Sequence, residues 1–301
     1  MATAKALVYY HANCTDGFGA AYVFHKFMEK NYEEVKYIPS EYGKTSIDLG
    51  EAKGADVFVL DFSFSKEMLL AAVAHVSELT IIDHHKTAKE DLADWLDGNA
   101  PPKINLFFNM EKSGAGLAWD IFAPDGMDRS QLVNYIEDRD LWKFALQHSK
   151  QINAYVGNRM RNFAAYRDME VEIEQDKDSV AFIGQQLKDY DQRICEDIAN
   201  NLARNCTFYT PDGPITGLIA NCTGHFASEV GNILAKRSGT FGATYFTDPN
   251  GNTKVSLRSI GDFDVSKLAQ RYGGGGHRNA AGFVMYSDGA ESTGGVSLWR
   301  L

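Results

Sequence analysis

Leu79-Thr80-Ile81-Ile82-Asp83-His84-His85 sets a short apolar, β-branched run directly against a carboxylate and two imidazoles. The run is short and rich in residues that favour a pleated, buried strand. Three similar runs lie at 6–10, 57–60 and 104–108. Between them, at 19–29 and 66–75, apolar residues recur at the three- and four-residue spacing of a helix. Strands alternating with helices predict βαβ units and an α/β fold with a mostly parallel sheet flanked by helices. Ligands of such sheets bind beyond the carboxyl ends of the strands, so the polar residues after each run are the candidates for chemistry.

The first run is followed by His11-Ala12-Asn13-Cys14-Thr15-Asp16-Gly17, the second by Asp61-Phe62-Ser63, the third by Asp83-His84-His85. A later segment, Tyr135-Ile136-Glu137-Asp138-Arg139-Asp140-Leu141-Trp142, adds further carboxylates. A parallel sheet delivers the first three clusters to one edge. Imidazoles and carboxylates crowded there are costly unless cations neutralise them. Mixed His and Asp ligands suit Mn²⁺, Fe²⁺, Co²⁺ or Zn²⁺, whereas Mg²⁺ prefers oxygen alone. Taken singly, each cluster also has a structural reading: Asp61 as a turn or helix cap, Asp83-His84-His85 as a helix start, Asp138 and Asp140 as a solvated helix face. Their convergence is what points to a site.

The 301 residues suit about two domains. Forty acidic against thirty basic residues leave a net charge of -10, which argues against a general binder of long nucleic acid. With 12% aromatic residues and seven prolines the chain is composed to fold. Cys14, Cys195, Cys206 and Cys222 show neither metal-finger spacing nor a dense disulfide framework. The start lacks the pattern of a secretory signal, and no apolar stretch approaches the roughly 20 residues of a membrane span. The expectation is a soluble cytoplasmic protein with no membrane partner.

Residues 168–205 are charged and helix-prone, and strand-like runs at 214–220, 241–247, 254–258 and 282–286 then alternate with helical segments at 227–236 and 265–272. This predicts a catalytic, metal-binding domain at 1–180, a helical linker at 181–205 and a smaller α/β substrate-binding domain at 206–301, with a loose Gly- and Ser-rich tail at 287–301. Gly273-Gly274-Gly275-Gly276 either lets the backbone approach an anionic ligand, especially ahead of a helix, or forms a flexible hairpin. Ser113-Gly114-Ala115-Gly116 binds phosphate or begins a helix, and Tyr272 and Phe283 are the aromatics near the glycines available to stack on a base. His25, His75 and His148 read as structural, His225 as either cleft or surface, and Cys195, Cys206 and Cys222 as buried small residues.

Asp83-His84-His85 after its apolar run resembles the signature of the DHH phosphoesterase family. Gly273-Gly274-Gly275-Gly276-His277-Arg278-Asn279-Ala280-Ala281-Gly282-Phe283, with Val255-Ser256-Leu257-Arg258-Ser259 upstream, resembles the glycine-rich motif of the accompanying DHHA1 domain. The resemblance runs from His11 to Phe283 and implies a DHH domain, a helical linker and a DHHA1 domain. It also implies a phosphohydrolase that uses two divalent metal ions, Mn²⁺ first among them. His11 and Asp61 would hold one ion, and Asp16, Asp61, His84 and Asp140 the other, with Asp61 bridging. Asp140 is preferred to Asp138 because Asp140-Leu141-Trp142 matches the family's spacing. Asp83 would orient an imidazole and His85 would contact the phosphate under attack. Arg258, Gly274, Gly275, Gly276 and His277 would bind the far end of the substrate across an interdomain cleft.

Cys14 stands where the family usually carries an aspartate. As a thiolate ligand it would favour Zn²⁺, Fe²⁺ or Co²⁺; otherwise it is a spectator. The implied substrates are small and phosphorylated: short oligoribonucleotides (short RNA) or linear dinucleotides. The alternatives are polyphosphate or another phosphoanhydride, and, in a different class, a nucleotide-binding sensor that has lost turnover.

Overall fold

The four apolar runs are strands of one parallel sheet. The first of two units, Met1–Leu187, contains β1 (Thr3–His11), α1 (Thr15–Phe27), β2 (Tyr32–Ser40), β3 (Asp56–Leu60), α2 (Lys66–Val73), β4 (Glu78–Asp83), α3 (Lys86–Asp91), β5 (Ile104–Phe108), α4 (Gly114–Phe122), α5 (Gln131–Asp140) and α6 (Ser149–Asn158). This computed structural model describes residues 3–41, 44–210 and 213–286, so the tail at 287–301 lies outside the described residues.

The sheet order is β2-β1-β3-β4-β5, with every pair parallel. Side chains alternate between two cores. Leu7, Tyr9, Val57, Val59 and Ile81 face one, and Ala6, Val8, Phe58, Leu60 and Ile82 the other. Burial on both faces is why these strands read as continuous apolar runs. The strand β2 does not stand out as such a run, because its Tyr32-Glu33-Glu34-Val35-Lys36-Tyr37-Ile38-Pro39 is too charged. It is an edge strand, where charge and proline are tolerated, and its Lys36 pairs with Glu51 at 2.7 Å. The chain leaves β1 toward β2 on one side and resumes at β3 on the other. His11 and Asp61 therefore flank the point where the strand order reverses, the usual ligand position in such sheets.

A helical stretch, α7 (Phe163–Asn201), breaks at Asp176, where φ is -152° and ψ 76°. The Asp176 carboxylate accepts the Ser179 amide at 3.0 Å, as an N-cap does, and so restarts the helix. The second unit, Lys188–Leu301, adds β6 (Arg204–Thr210), β7 (Gly213–Asn221), α8 (Ala227–Ser238), β8 (Phe241–Thr247), β9 (Thr253–Ser259), α9 (Val265–Gln270), β10 (Gly275–His277) and β11 (Ala280–Met285). Its sheet runs β10-β11-β9-β8-β7-β6, antiparallel except between β7 and β8. Phe208, Phe241, Leu257, Leu268 and Phe283 fill one side, and Cys195, Cys222, Val230 and Leu234 the other.

The glycine run does not precede a helix; it follows α9 and opens β10. Within it, Gly274 and Gly276 are required by the fold. A Cβ on Gly274 would lie 2.1 Å from the Gly282 carbonyl oxygen, and one on Gly276, at φ +141°, 2.5 Å from that of Ala280. Among the described residues, no helix is long and apolar enough to cross a membrane.

Candidate metal centre

Backbone turns bring the ends of β1, β3 and β4 together. Gly17 in the first turn of α1 packs on the end of β1 so closely that a Cβ there would lie 2.3 Å from the His11 carbonyl oxygen. That contact places Asp16 beside His11. Asp61 follows β3 with φ +62°, a left-handed conformation that aspartate adopts more readily than most residues, and its amide stays bonded to the Ile82 carbonyl at 2.8 Å. The start of α4 closes the site from a third side. The amides of Gly114 and Ala115 donate to the two carboxylate oxygens of Asp16 at 2.6 and 2.9 Å. Ser113 caps the same helix by accepting the Gly116 amide. The Ser113-Gly114-Ala115-Gly116 run is thus a helix start whose free amides hold a protein carboxylate.

Two donor groups result. His11, Asp61 and His85 offer ligand atoms within 4.8 Å of one another, and so do Asp16, Asp61 and His84. His84 Nε2 lies 3.1 Å from Asp61 Oδ1, 3.7 Å from Asp16 Oδ2 and 3.5 Å from Asp140 Oδ2. His11 Nδ1 is 3.4 Å from Asp61 Oδ2. Asp83, fully buried, accepts the amides of His84 and His85 and the Nδ1 of His85, the last at 2.7 Å. It therefore orients the His85 ring. His85, which the resemblance assigns to the phosphate, is grouped by the structure with His11 and Asp61.

Asp138 and Asp140 are separated cleanly. Asp140 faces His84, while buried Asp138 accepts the amides of Ala145 and Leu146 at 2.8 and 3.3 Å. Cys14 forms the N-cap position of α1 and belongs to neither donor group. Burial, with the charge of Asp61, pushes its thiol up to about 11.

The electrostatics favour cations. Burial, then the charges of Asp61 and Asp140, push the Asp16 carboxyl well above the usual carboxylate range. Burial acts likewise on Asp140, with His84 opposing. Burial opposes ionisation of Asp61 too, but hydrogen bonds from His11 and His84 outweigh it and hold that carboxyl low. The Asp61 hydrogen bond raises His11 above the ordinary imidazole value. His84 and His85 also rise despite burial, through Asp61 and Asp83 respectively. Asp83 Oδ2 is buried without a hydrogen-bond partner. Buried carboxylates braced only by imidazoles and amides, with mixed N and O donors, fit a pair of divalent cations. A hollow of about 500 Å³ adjoins the group, lined by Phe62, Ser63, Phe64, Met68 and Thr87, and the Phe62 ring lies 6.4 Å from that of His11.

In the second unit the register sets Arg258, Ala280 and His277 in one row across β9, β11 and β10. Half-buried Arg258 donates to Ser228 Oγ at 2.7 Å and to the Leu257 carbonyl at 2.8 Å; the side chain of His277 lies outside the described residues. Gly275 has open space where a Cβ would stand. Tyr272 and Phe283 do not present free faces to a base. They stack on each other at 4.8 Å, and Phe283 is core. His25 stacks on Phe163, and exposed His225 lies 3.9 Å from Asp191.

The DHHA1 domain family matches residues 217–292. An uncharacterized protein of Acanthamoeba polyphaga mimivirus is 28% identical over 294 residues, covering 93% of this chain and 67% of the relative. The oligoribonuclease NrnB of Bacillus subtilis (strain 168) is 24% identical over 298 residues, covering 91% and 71%. Among solved structures, RecJ of Thermus thermophilus in complex with Mn²⁺ shares the fold with TM-score 0.52 and 11% identity, over 95% of this chain and 50% of that one. The chain thus carries a DHHA1 domain at 217–292, and Asp83-His84-His85 closes β4 of the parallel sheet in its first unit.

Proposed function

We propose that this protein is a phosphoesterase that hydrolyses short oligoribonucleotides or linear dinucleotides with two divalent cations. His11, Asp61 and His85 hold one cation, and Asp16, Asp61, His84 and Asp140 the other. The observation that carries this reading is the position of Asp61, one buried carboxylate common to two donor groups at the reversal point of a parallel sheet. The name of the Bacillus relative, an oligoribonuclease, supports the substrate class. The net charge of -10 favours short substrates over long ones. Mixed imidazole and carboxylate donors make Mn²⁺ the first choice. Four unpaired cysteines accord with a cytoplasmic setting.

Divalent cations held by these residues would supply charge neutralisation at the phosphate oxygens and acidification of a water for in-line attack. The chain's own part is to hold the ligands rigid. Asp83 fixes the tautomer and plane of His85. The α4 amides hold Asp16 in one orientation, and the left-handed turn at Asp61 keeps its two oxygens between His11 and His84. The hollow beside Phe62 has room for a nucleoside. In the second unit, Arg258 and the strand Gly275–His277, next to Gly274, are assigned to the substrate's far phosphate. Attack joins the water oxygen to phosphorus as the bond to the leaving ribose oxygen breaks. That oxygen departs with a proton, and no covalent protein intermediate forms.

The test is hydrolysis with added Mn²⁺ of linear diadenylate, a short RNA, a cyclic dinucleotide and short-chain polyphosphate. Mononucleotide release from the first two is expected. Orthophosphate from polyphosphate alone would replace the substrate class with phosphoanhydrides. No turnover with metal bound would make the protein a nucleotide-binding sensor.

A further inference from the structure

Two residues beyond Asp140, the chain holds an indole out to solvent. Trp142 is 77% exposed, the highest value among the exposed large hydrophobic residues of the described part of the chain. Its backbone sits at φ +56°, and Phe144 follows at φ +47°. Left-handed backbone is uncommon for any side-chain-bearing residue and a true outlier for a bulky one. Such strain persists only where the surroundings impose it.

Here one residue imposes it. The Asp138 carbonyl accepts the amides of Lys143 and Phe144 at 2.9 and 3.2 Å, while its carboxylate accepts those of Ala145 and Leu146 at 2.8 and 3.3 Å. The Trp142 amide closes on the Arg139 carbonyl at 2.9 Å, and the Arg139 guanidinium donates to Thr15 Oγ1 at 3.0 Å, tying the loop to the first turn of α1 beside Asp16. The ring itself meets Phe144 edge-on, with centroids 4.9 Å apart at 75°, an arrangement that leaves an indole face open.

Core packing does not explain this loop, because Trp142 belongs to none of the core clusters. Its Cα is at most about 7 Å from that of Asp140, the reach of two residues of extended chain. An exposed aromatic face, carried on a loop with a hydrogen-bonded backbone at that distance from a carboxylate of the metal centre, is suited to stack a base. We infer that Trp142 is the stacking platform for a nucleobase of the substrate. The inference rests on the phosphoesterase reading and deepens it. It makes the preferred substrate a nucleotide, because polyphosphate offers nothing to stack. Since every base has a π face, the contact tolerates any sequence.

The test compares the full-length wild type with Trp142→Ala and Trp142→Phe, in Mn²⁺, on linear diadenylate and on its abasic dinucleotide analogue. Trp142→Ala should raise KM for diadenylate about 10- to 100-fold, the effect expected of losing one base–aromatic stack, and leave KM for the abasic analogue unchanged. Trp142→Phe should recover most of the loss. Of the four tryptophans, Trp95 and Trp119 are buried and Trp299 lies outside the described residues, so the fluorescence test is made on a Trp299→Phe background, in which AMP should quench the fluorescence and ribose 5-phosphate should not. The quench should vanish in Trp142→Phe. An unchanged KM for diadenylate, or an equal rise for both substrates, would overturn the inference and leave the phosphoesterase reading standing. If Trp142→Ala fails to fold, the quench on that background and its loss in Trp142→Phe decide. Failure of the wild type to cleave either dinucleotide, with activity on polyphosphate alone, would instead remove the substrate reading beneath it.

Discussion

The amide of Gly114 donates to the carboxylate of Asp16 at 2.6 Å, across 98 positions of chain. That bond is possible only because Gly114 lacks a side chain: a Cβ there would stand 2.5 Å from Asp61 Cβ and 2.6 Å from Asp61 Oδ1. Gly114→Ala therefore pushes on the carboxylate shared by both donor groups. Since a misplacement of order 1 Å can cost about a hundredfold in rate, diester hydrolysis should fall by about that factor. Mn²⁺ affinity should fall with it. A Mn²⁺ titration beside the kinetics checks this, and wild-type affinity in the variant would show that Asp61 is not the shared ligand.

Asp138 and Asp140 lie two residues apart and should separate stability from kcat. Asp138→Ala strips the acceptors from the amides of Ala145 and Leu146 and should destabilise the fold by about 2 kcal/mol. Asp140→Ala removes a group facing His84 and should leave the unfolding free energy within about 0.5 kcal/mol of the wild type while lowering kcat at least about a hundredfold. Urea denaturation and steady-state kinetics on both variants check the split. The reverse pattern would make Asp138 the ligand.

Much of this site is legible in the sequence because a parallel sheet brings its strand ends to one edge. His11, Asp61 and Asp83-His84-His85 follow from where the apolar runs stop. The grip of Gly114 and Ala115 on Asp16 is not legible. A small-residue helix start looks the same whether its amides meet a substrate phosphate or a carboxylate of the protein. Nor can sequence tell which carboxylate takes a histidine's Nδ1, and that bond, from His85 to Asp83, sets the direction of His85. Tyr272 and Phe283 mislead for a related reason. An aromatic that stacks in a core and one that stacks on a base have the same composition and differ only in burial. The strands β2 and β6, at the sheet edges, lack the two-sided burial that makes β3 and β4 conspicuous.

Metal binding should strengthen with pH. A carboxyl raised on folding, as Asp16 is, gives stability that is present below its ordinary value of 3.8 and lost as pH rises through the folded value. Ionised Asp16 thus burdens the metal-free fold, and a cation relieves it. His11, His84 and His85, all raised above 6.5, must also shed protons before they ligate. Asp61, held low, would lose its contribution only on acidification and adds nothing to the slope near neutrality. The rise in Tm on replacing EDTA with Mn²⁺ should accordingly be larger at about pH 8 than at about pH 6. A rise that shrinks over that interval would contradict the ligand set.

Cys14 tests whether a thiolate takes part. Its thiol, pushed up to about 11, is protonated at neutral pH in the metal-free protein, and neither donor group includes it. Alkylation of the metal-free protein at neutral pH should be slow. Cys14→Ser should keep Mn²⁺ affinity within about twofold, because the carboxylates and imidazoles suffice. A thiolate-to-metal charge-transfer band in the Co²⁺ protein, lost in Cys14→Ser, would make Cys14 a ligand.

The glycine run allows fold and ligand binding to be separated within adjacent residues. Gly274→Ala places a methyl 2.1 Å from the Gly282 carbonyl oxygen and 2.5 Å from Phe283 Cβ, and the antiparallel pairing of β10 with β11 leaves that backbone no room to yield. It should destabilise the second unit by about 1–3 kcal/mol. Gly275→Ala meets nothing within 4 Å, so the change should leave Tm within about 2 °C. Any rise in KM that it causes reports a substrate approaching that strand closely, since no protein contact opposes the new methyl. A KM unchanged in Gly275→Ala would confine the need for glycine here to Gly274 and Gly276 and their packing on β11, and would move the terminal-phosphate contact away from β10.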